Sequence, residues 1–521
     1  MNTQQEIANR YDVLIVGFGP AGAVVASMFG QRGHSTLVID RMMGIYEKPR
    51  AIAVDHEILR HFDNMGIAED VLPYIEPFTA SQHFGAQGQL IRRIDMVPEP
   101  YPLGYTPSMV FTQPPVEEVL RRHADSLDDV TIELGTELID ITDMGNEVIA
   151  TLRNSKGGVC NVAAKYAIGC DGASSTVRQL AGMKLEDLVF DEPWLVVDVQ
   201  VHDAGLAKLP QTSAQFCDPA RPTSFIIGPK NHRRWEIMLL PGEDAREMEK
   251  PENVWTLLAR WLSLEDGALW RAASYRFHAL VADDWHSGRI LIAGDAAHQQ
   301  PPFIGQGLRD VSNLVWKLDR VLKGQSSEAL LDSYTIERKR HVRTLTGKIK
   351  AIGQMICESD PLLAAERDAR IITEGGGKPP TITRQEIVPP LEEGLIGAEG
   401  TPARGLLFPQ PSIVSDGSAT LMDRVIGHGW RLLLDGRKIS SDQARVYAQA
   451  LDDMTVCTVA PAGTHSGADD VLEEKDGVLA GWFDRHGAIA ALVRPDHYVF
   501  AGAADLAALD QQLSDLRIRL A

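Results

Sequence analysis

The chain opens on short aliphatic runs broken by glycine, and the runs have the length of strands. Tyr11–Val16 is a β-branched run of the kind that lies covered on both faces in a parallel sheet. Ala23–Arg32 reads as a helix of small and apolar residues, and Ser35–Ile39 as a second buried strand. Tyr166–Cys170 and Arg289–Ala293 repeat the strand pattern much further along. From Glu192 to Trp285 apolar and polar residues alternate over short stretches, as in Ser224–Gly228 and Trp235–Leu240. That alternation predicts an antiparallel sheet with one covered face. Val311, Leu314, Val315 and Leu318 carry amphipathic spacing over a helix Val311–Leu322, and Leu330–Ile349 reads as another. On the second helix, Glu337, Arg338, Lys339, Arg340 and His341 are expected to form a solvated face. Gly375–Pro380 and Pro389–Gly405 are rich in Gly and Pro and read as linker. Beyond them Trp430–Leu434, Thr455–Val459, Ala488–Val493 and Tyr498–Phe500 read as strands, closed by an amphipathic helix Leu506–Leu520.

Composition adds scale and exclusions. With 521 residues the chain is long enough for about three or four domains, and a core of that size needs no disulfide or structural metal. Hydrophobic residues at 44% and charged residues at 23% describe an ordinary globular protein rather than a disordered one. A net charge of −20 argues against nucleic acid or an anionic membrane as the main partner. Cys160, Cys170, Cys217, Cys357 and Cys457 are widely spaced and form no C-x-x-C, which disfavours a zinc ribbon or a redox pair, and no metal site is expected. An odd cysteine count, with a polar Met1–Arg10 in place of a signal peptide, fits a cytoplasmic protein. The longest apolar runs are strand length, far short of a membrane span.

The first candidate chemistry follows the first strand. Gly17-Phe-Gly19-Pro-Ala-Gly22 is a G-x-G-x-x-G set between strand and helix, and Asp40 ends the second strand eighteen residues after Gly22. Gly17 permits the tight turn, Gly19 lets backbone approach a pyrophosphate, and Gly22 lets helix and strand pack closely. The phosphates would sit on the helix N-terminus, and Asp40 would accept hydrogen bonds from a ribose diol. Two more strand ends carry Asp171-Gly172 and Gly294-Asp295, the latter followed by His298 and then Pro301-Pro302-Phe-Ile-Gly305-Gln306-Gly307.

These three motifs, in this order and with these gaps, resemble the class A FAD-dependent aromatic hydroxylases, of which p-hydroxybenzoate hydroxylase is the type. The resemblance covers about the first 345 residues. It implies an α/β fold in which a Rossmann-like FAD-binding domain is interleaved with an antiparallel-sheet substrate domain. It also implies FAD as cofactor and NADH or NADPH as transient reductant. On the matching positions, Gly17, Gly19, Gly22 and Asp40 would hold the ADP half of FAD, with Pro20, Ala21 and Arg41 beside them. Asp171 and Gly172 correspond to the motif between the pyrophosphate and the reductant's approach, and Asp295, after Gly294, to the residue that binds the ribityl hydroxyls. Arg50 and Gln113 match flavin-contacting positions, and Pro302, Gly305, Gln306 and Gly307 complete the set. His298 reads as structural, as do His278 and Tyr105, so no general base is assigned.

A narrower likeness lies in Phe216–Thr223 and His232–Asp244, which look like the 3-(3-hydroxyphenyl)propionate hydroxylase branch. It implies ring hydroxylation ortho to an existing hydroxyl of 3-(3-hydroxyphenyl)propionate or 3-hydroxycinnamate, using O2 through a flavin C4a-hydroperoxide. Arg233 and Arg234 could attract the propionate, but solvated arginines paired with acids are the favoured reading. Alternatives are another phenol, such as resorcinol or a polyketide, or an FAD protein with impaired monooxygenation. The last comes from a departure: Gly307-Leu308-Arg309-Asp310 run on directly where relatives carry about four more residues. Either Gly305–Leu308 take over that stretch's amide donors, or the sequence as read lacks a loop, or the flavin site is weakened. Trp482–Gly487 and Val493–Phe500 resemble the thioredoxin-like C-terminal domain of larger phenol hydroxylases, and Cys457 alone excludes dithiol chemistry there. A stabilising or dimer-contacting role is expected for it. The expected division is an FAD-binding domain over 1–190, a substrate sheet over 191–285, a return to the FAD domain over 286–400, and the thioredoxin-like unit over 401–521.

Overall fold

The computed structural model describes residues 7–299, 305–415, 417–464 and 471–521, without the side chains of residues 190, 191, 277, 278 and 415. Pro302 and the side chain of His278 therefore lie outside the described residues. Three large sheets organise the chain.

The first sheet has a parallel core in the spatial order Val130–Leu134, Thr36–Asp40, Ile7–Val16, Val159–Gly169 and Ile290–Ile292. Val13, Leu14 and Ile15 are fully buried, as are Leu37, Val38 and Ile39. Both faces are covered, which is why these strands read as continuous apolar runs. The helix after the first strand is Pro20–Gly30, with Pro20 in its first turn where a missing N–H costs nothing. It packs between the helices Gln113–Asp125 and Gln306–Leu322.

The second sheet has nine strands, in the order His298–Gln299, Gly267–Ala282, Leu185–Val201, His232–Met238, Thr223–Ile227, Ser213–Phe216, Ser81–Phe84, Leu90–Asp95 and Thr381–Thr383. It thus recruits strands from well outside residues 191–285. Its alternation is clean. Leu195, Val197, Val199, Phe225, Trp235 and Ile237 form one face and pack with Val254 and Leu258 of the helix Pro251–Leu258. The residues between them, including Asp198, Arg234 and Glu236, therefore belong to the opposite, inner face.

The third sheet pairs Trp430–Asp435, Met454–Pro461 and Val471–Glu474 in parallel, with Ala490–Val493 and Val499–Ala503 antiparallel on the other side. Leu509, Leu513 and Leu516 of the helix Leu506–Leu520 pack in one cluster with Trp430, Phe500 and Trp316, so this unit shares a core with the helix Gln306–Leu322.

That contact corrects one expectation. On the helix Asp332–Ile356 the solvated charge cluster is largely buried, with Glu337, Arg338 and His341 only 1–2% exposed. Glu337 is neutralised at 2.7 Å by both Arg494 and Lys317, and a charge partnered this way tolerates burial. Pro389–Gly405 is likewise no free tether, since Leu391, Leu395 and Ile396 are buried. Among the described residues, no helix is long and apolar enough to cross a membrane.

Candidate flavin and substrate site

Four strand ends lie in register on the first sheet: Ile39 beside Val16, Val16 beside Gly169, and Gly169 beside Ile292. The residues that follow, Asp40, Gly17, Asp171 and Gly294-Asp295, therefore leave one edge of the sheet together. The carboxyl edge of a parallel sheet is where such folds bind ligands. Motifs up to 270 residues apart in sequence meet here because of strand order, which no local pattern reports.

The glycines divide the work. Gly17 has φ +100°, and a Cβ on it would lie 2.5 Å from the Cys170 carbonyl oxygen. A Cβ on Gly22 would lie 1.9 Å from the Gly17 oxygen, so both positions are closed by the protein's own backbone. A Cβ on Gly19 would meet nothing within 4 Å. The space at the helix N-terminus beside Gly19 is open to a group from outside the chain, as a pyrophosphate requires.

The acids differ in how far they are already satisfied. Asp40 accepts from the Phe18 and Met42 amides, each at 2.7 Å. Asp171 caps the short helix Thr176–Leu180, accepting from Ser175 Oγ at 2.5 Å and the Thr176 amide at 2.6 Å. Its contacts are those of a local cap, and Gly172 beside it stands open at φ +80°. Asp295 accepts no hydrogen bond from any described residue, and its side chain reaches solvent. Desolvation by the protein around it raises its carboxyl above the ordinary range, with His298 and Arg50 pulling the other way. Gln113 takes the Ala51 amide at 2.8 Å and gives to Glu117 at 3.2 Å, which fixes the loop that carries Arg50. Arg50 is exposed and lies over the Tyr46 ring at 4.6 Å. Arg41 is exposed, and beyond Asp40 a surface cleft of about 630 Å3 is lined by Gly44, Glu47, Pro114 and Arg121 among others.

On the opposite side of the edge the helix Gln306–Leu322 begins directly, with Gly305 in the left-handed region at φ +54°. A Cβ on Gly307 would lie 3.0 Å from the Gly294 Cα, so the helix start packs on the Gly294-Asp295 turn. Asp310, missed as a site residue, locks that contact. It accepts from the Gly294 amide at 3.0 Å, from Arg338 at 2.9 Å, and pairs with His298 Nε2 at 2.8 Å. Arg338 also donates to Gln306 Oε1 at 2.9 Å. His298 stacks on Trp285 at 5.4 Å, a structural position, and Tyr105 packs against the first core.

An open helix N-terminus, a close-packed glycine turn and an unsatisfied carboxylate on one edge fit a flavin dinucleotide. The FAD binding domain family matches residues 10–348, and the HcaD C-terminal domain family matches residues 405–518. The chain is 36% identical over 514 residues to a probable NADH-specific resorcinol 4-hydroxylase of Rhodococcus jostii, covering 96% of this chain and 94% of that protein. It is 32% identical over 517 residues to a 3-(3-hydroxy-phenyl)propionate/3-hydroxycinnamic acid hydroxylase of Burkholderia cenocepacia, covering 95% and 94%. Among solved structures, the flavin-dependent monooxygenase PieE superposes with a TM-score of 0.79 at 21% identity, over 99% of this chain and all of that one. Aklavinone-11 hydroxylase gives 0.77 at 23% identity, over the same shares.

The chain belongs to the class A FAD-dependent hydroxylases.

In this flavin hydroxylase the second sheet meets the first at two points. His298 and Gln299, just past Asp295, pair with Val281 and Leu280 at the sheet's edge. On the inner face, Arg234 donates to the carbonyls of Arg50 at 2.7 Å and Pro49 at 3.3 Å, and Arg271 donates to Pro49. Arg234, Arg271 and His232 all converge on Asp198, which is fully buried. Burial pushes the Asp198 carboxyl up, but Arg234 and His232 outweigh it and hold it below the ordinary range. The expectation of solvated strand arginines is corrected for Arg234, which is 1% exposed because Asp198 neutralises it from the adjacent strand. Arg233 points the other way and donates to the carbonyls of Gly228, Lys230 and His232. Two residues beyond Arg234 on the same face stands Glu236, half-buried, with no side-chain hydrogen bond or ion pair among the described residues.

Proposed function

We propose that this enzyme hydroxylates the ring of a small phenol ortho to its hydroxyl group, using NADH and O2. The single observation that carries the reading is the row of four strand ends, which gathers an open glycine turn and the free Asp295 carboxylate where the family holds FAD. Gly17, Gly19, Pro20, Ala21, Gly22, Asp40 and Arg41 would hold its ADP half. Asp171, Gly172, Gly294 and Asp295 would line its middle, and Arg50, Gln113, Pro302, Gly305, Gln306 and Gly307 its flavin end. The first turn of the helix starting at Gln306 packs its N-terminal end on the Gly294-Asp295 turn, which supports Gly305–Leu308 taking over from the residues that relatives carry there. When bound, FAD would supply the redox chemistry that converts O2, two electrons and two protons into an inserted oxygen atom and water. The chain's own tasks are to bind and orient the cofactor, place the phenol against it, and keep water away.

A neutral dihydroxybenzene such as resorcinol is the preferred substrate class. Arg234 is committed to Asp198 and to backbone carbonyls, and Arg233 faces away, so neither arginine is available to a propionate. The relative at 36% identity bears a resorcinol name, and NADH is taken from the same source. A phenylpropanoid acid is the second reading, supported by the relatives at 30–33% identity. We place the enzyme in the cytoplasm and divide it as 1–190, 191–285, 286–400 and 401–521. We read the last unit as thioredoxin-like, supported by the neighbouring order Met454–Pro461, Trp430–Asp435, Ala490–Val493 and Val499–Ala503. Its role is to brace the FAD-binding part or a homodimer.

The test is direct. Purified protein should be yellow, and NADH loss should rise on adding resorcinol, with one oxygen atom gained by the ring in mass spectra. 3-(3-Hydroxyphenyl)propionate run in parallel separates the two substrate readings. A colourless protein, or NADH consumption that yields only hydrogen peroxide, overturns the proposal.

A further inference from the structure

The inner face of the second sheet holds one acid that the fold leaves without a partner. Strand register puts Glu236 directly opposite Val196 on one side and Ser224 on the other, and Val196 opposite Ala273. Each neighbour with polar capacity has spent it elsewhere. Arg234 gives Nε and Nη2 to Asp198 and reaches the carbonyls of Pro49 and Arg50. Ser224 donates to Gln215 Oε1 at 2.5 Å. Desolvation raises the Glu236 carboxyl above its ordinary range, Arg234 lowers it and Asp198 raises it, so the nearby arginine does not cancel the burial.

The Glu236 oxygens are not sealed in the interior, so a carboxylate that takes no hydrogen bond from the described residues stays open to a ligand over the sheet. Its position says which ligand. The row of Arg234 abuts the backbone of Pro49 and Arg50, on the loop that the flavin site shares. The row of Met238 and Trp194, on the other side, is capped by Ile352 and Met355 of the helix Asp332–Ile356. Glu236 lies between these walls, about 7 Å along the strand from each row. Its immediate neighbours across the strands, Val196, Ala273 and Ser224, are small and leave room over the sheet for a ring.

We propose that Glu236 is the catalytic base of the hydroxylation: its carboxylate accepts the hydrogen bond of the substrate's phenolic hydroxyl and takes the proton. The inference rests on the phenol-hydroxylase reading above. In the step, the O–H bond breaks, its electron pair stays on the phenolic oxygen, and the proton passes to a Glu236 oxygen. No electron leaves the pair of reactants. The resulting phenolate donates charge into the ring and makes the ortho carbon the better nucleophile. A raised carboxyl suits the role, because a base closer in pKa to the phenol transfers the proton at lower cost. The other ionisable groups on this face include Arg234, His232 and Asp198 beside it, Glu192 further back on the strand Leu185–Val201, Arg271 and Tyr275 from the strand Gly267–Ala282, and His83 and Arg92 further along the same row.

The test compares FAD-loaded wild type, Glu236→Gln and Glu236→Asp. At saturating resorcinol, Glu236→Gln should lose ring hydroxylation by about 100-fold or more, with flavin content and thermal midpoint unchanged. Glu236→Asp should recover part of the loss. A nitrophenol bound to the oxidised proteins without NADH should ionise at a different pH on wild type than on Glu236→Gln, because only on wild type is its hydroxyl bonded to a carboxylate. Wild-type turnover matched within about threefold by Glu236→Gln, or the same bound-nitrophenol titration on both proteins, overturns the proposal and leaves the phenol-hydroxylase reading standing. A wild-type protein that hydroxylates no phenol overturns both. If Glu236→Gln does not fold, the nitrophenol titration and the activity of Glu236→Asp against wild type decide.

Discussion

Two regions of this molecule bury charge, and they treat it in opposite ways. Along the seam between the third sheet and the first, Glu337, Asp423 and Glu57 each have a cation. Glu337 takes both guanidinium nitrogens of Arg494, at 3.0 and 2.7 Å, and Lys317 at 2.7 Å. Asp423 sits between Arg60 and Arg431, each at 2.7 Å, with all three side chains fully buried. Glu57 joins Arg309 at 2.7 Å to the Tyr498 hydroxyl at 3.2 Å. Burial would push the Glu337 carboxyl up, yet Arg494 and Lys317 hold it far below its ordinary value. At the carboxyl edge of the first sheet and on the inner face of the second, solvent-facing Asp295 and half-buried Glu236 have no such partners among the described residues, and desolvation by the surrounding protein raises both. The residue types are the same. Closed pairing marks a structural joint, and open pairing marks a place where something else completes the set.

The contrast is broken most sharply at the seam. Arg494→Met removes the cation that Glu337 and Asp496 share, leaving Glu337 to Lys317 and Asp496 without its cation, and should cost about 3–5 kcal/mol, read as a large fall in thermal midpoint with FAD bound or not. A fall smaller than about 1 kcal/mol would mean that the seam is not a closed joint.

Acid should weaken the same joint next. Burial, with Arg60 adding to it, pushes His61 from 6.5 down to about 3, and burial with Arg32 pushes His428 to about 4. Both histidines bind protons in the unfolded chain below about pH 6.5 while the folded chain refuses them, so stability falls as pH drops through that range. Asp423 is held near 2, where burial opposes and Arg60 and Arg431 prevail. Its contribution is complete above about pH 4 and disappears towards pH 2. Thermal stability from pH 8 to pH 3 should therefore be flat at first and then decline, by about 2 kcal/mol for each of these two histidines by pH 5.

At the open edge the effects should be smaller and confined to ligand. Gly19→Ala places its Cβ in free space within the protein, so the midpoint without flavin should hold while FAD affinity drops about tenfold, or roughly 1.4 kcal/mol. Gly22→Ala, aimed at the Gly17 oxygen, should instead damage the turn itself. Asp295→Asn should weaken FAD by a similar factor and leave the stability of the flavin-free protein unchanged or slightly higher, because it removes a carboxylate that the fold disfavours. Flavin titration alongside thermal melts separates these outcomes, and a stability loss at Asp295 would erase the distinction between the two regions.

Much of the cofactor edge was legible in the chain because its signals are local. A strand, a glycine turn and an acid at the next strand's end are contiguous, and buried strands announce themselves by unbroken apolar runs such as Val13–Val16. The alternation of the second sheet was also visible, as were the helices Gln306–Leu322 and Leu506–Leu520 to within a few residues at their ends. Charge was misread wherever its partner lies far away. Glu337 looked solvated because Arg494 is 157 residues distant, and Arg234 because Asp198 is 36 residues distant. Asp310 went unnoticed as the lock on the Gly294 turn, although its place one turn into the helix after Gly305 was a usable signal.

By itself the sequence determined the elements, the family and the motifs of the edge we propose for the dinucleotide, since periodicity and motif spacing are properties of neighbouring residues. The tertiary structure decided which charges are spent and which remain free. Strand register alone sets Glu236 between Val196 and Ser224, and strand order alone aligns Asp40, Gly17, Asp171 and Asp295 on one edge. Pairing between distant segments fixes those neighbours, and a buried charge is defined by its neighbours rather than by its own identity.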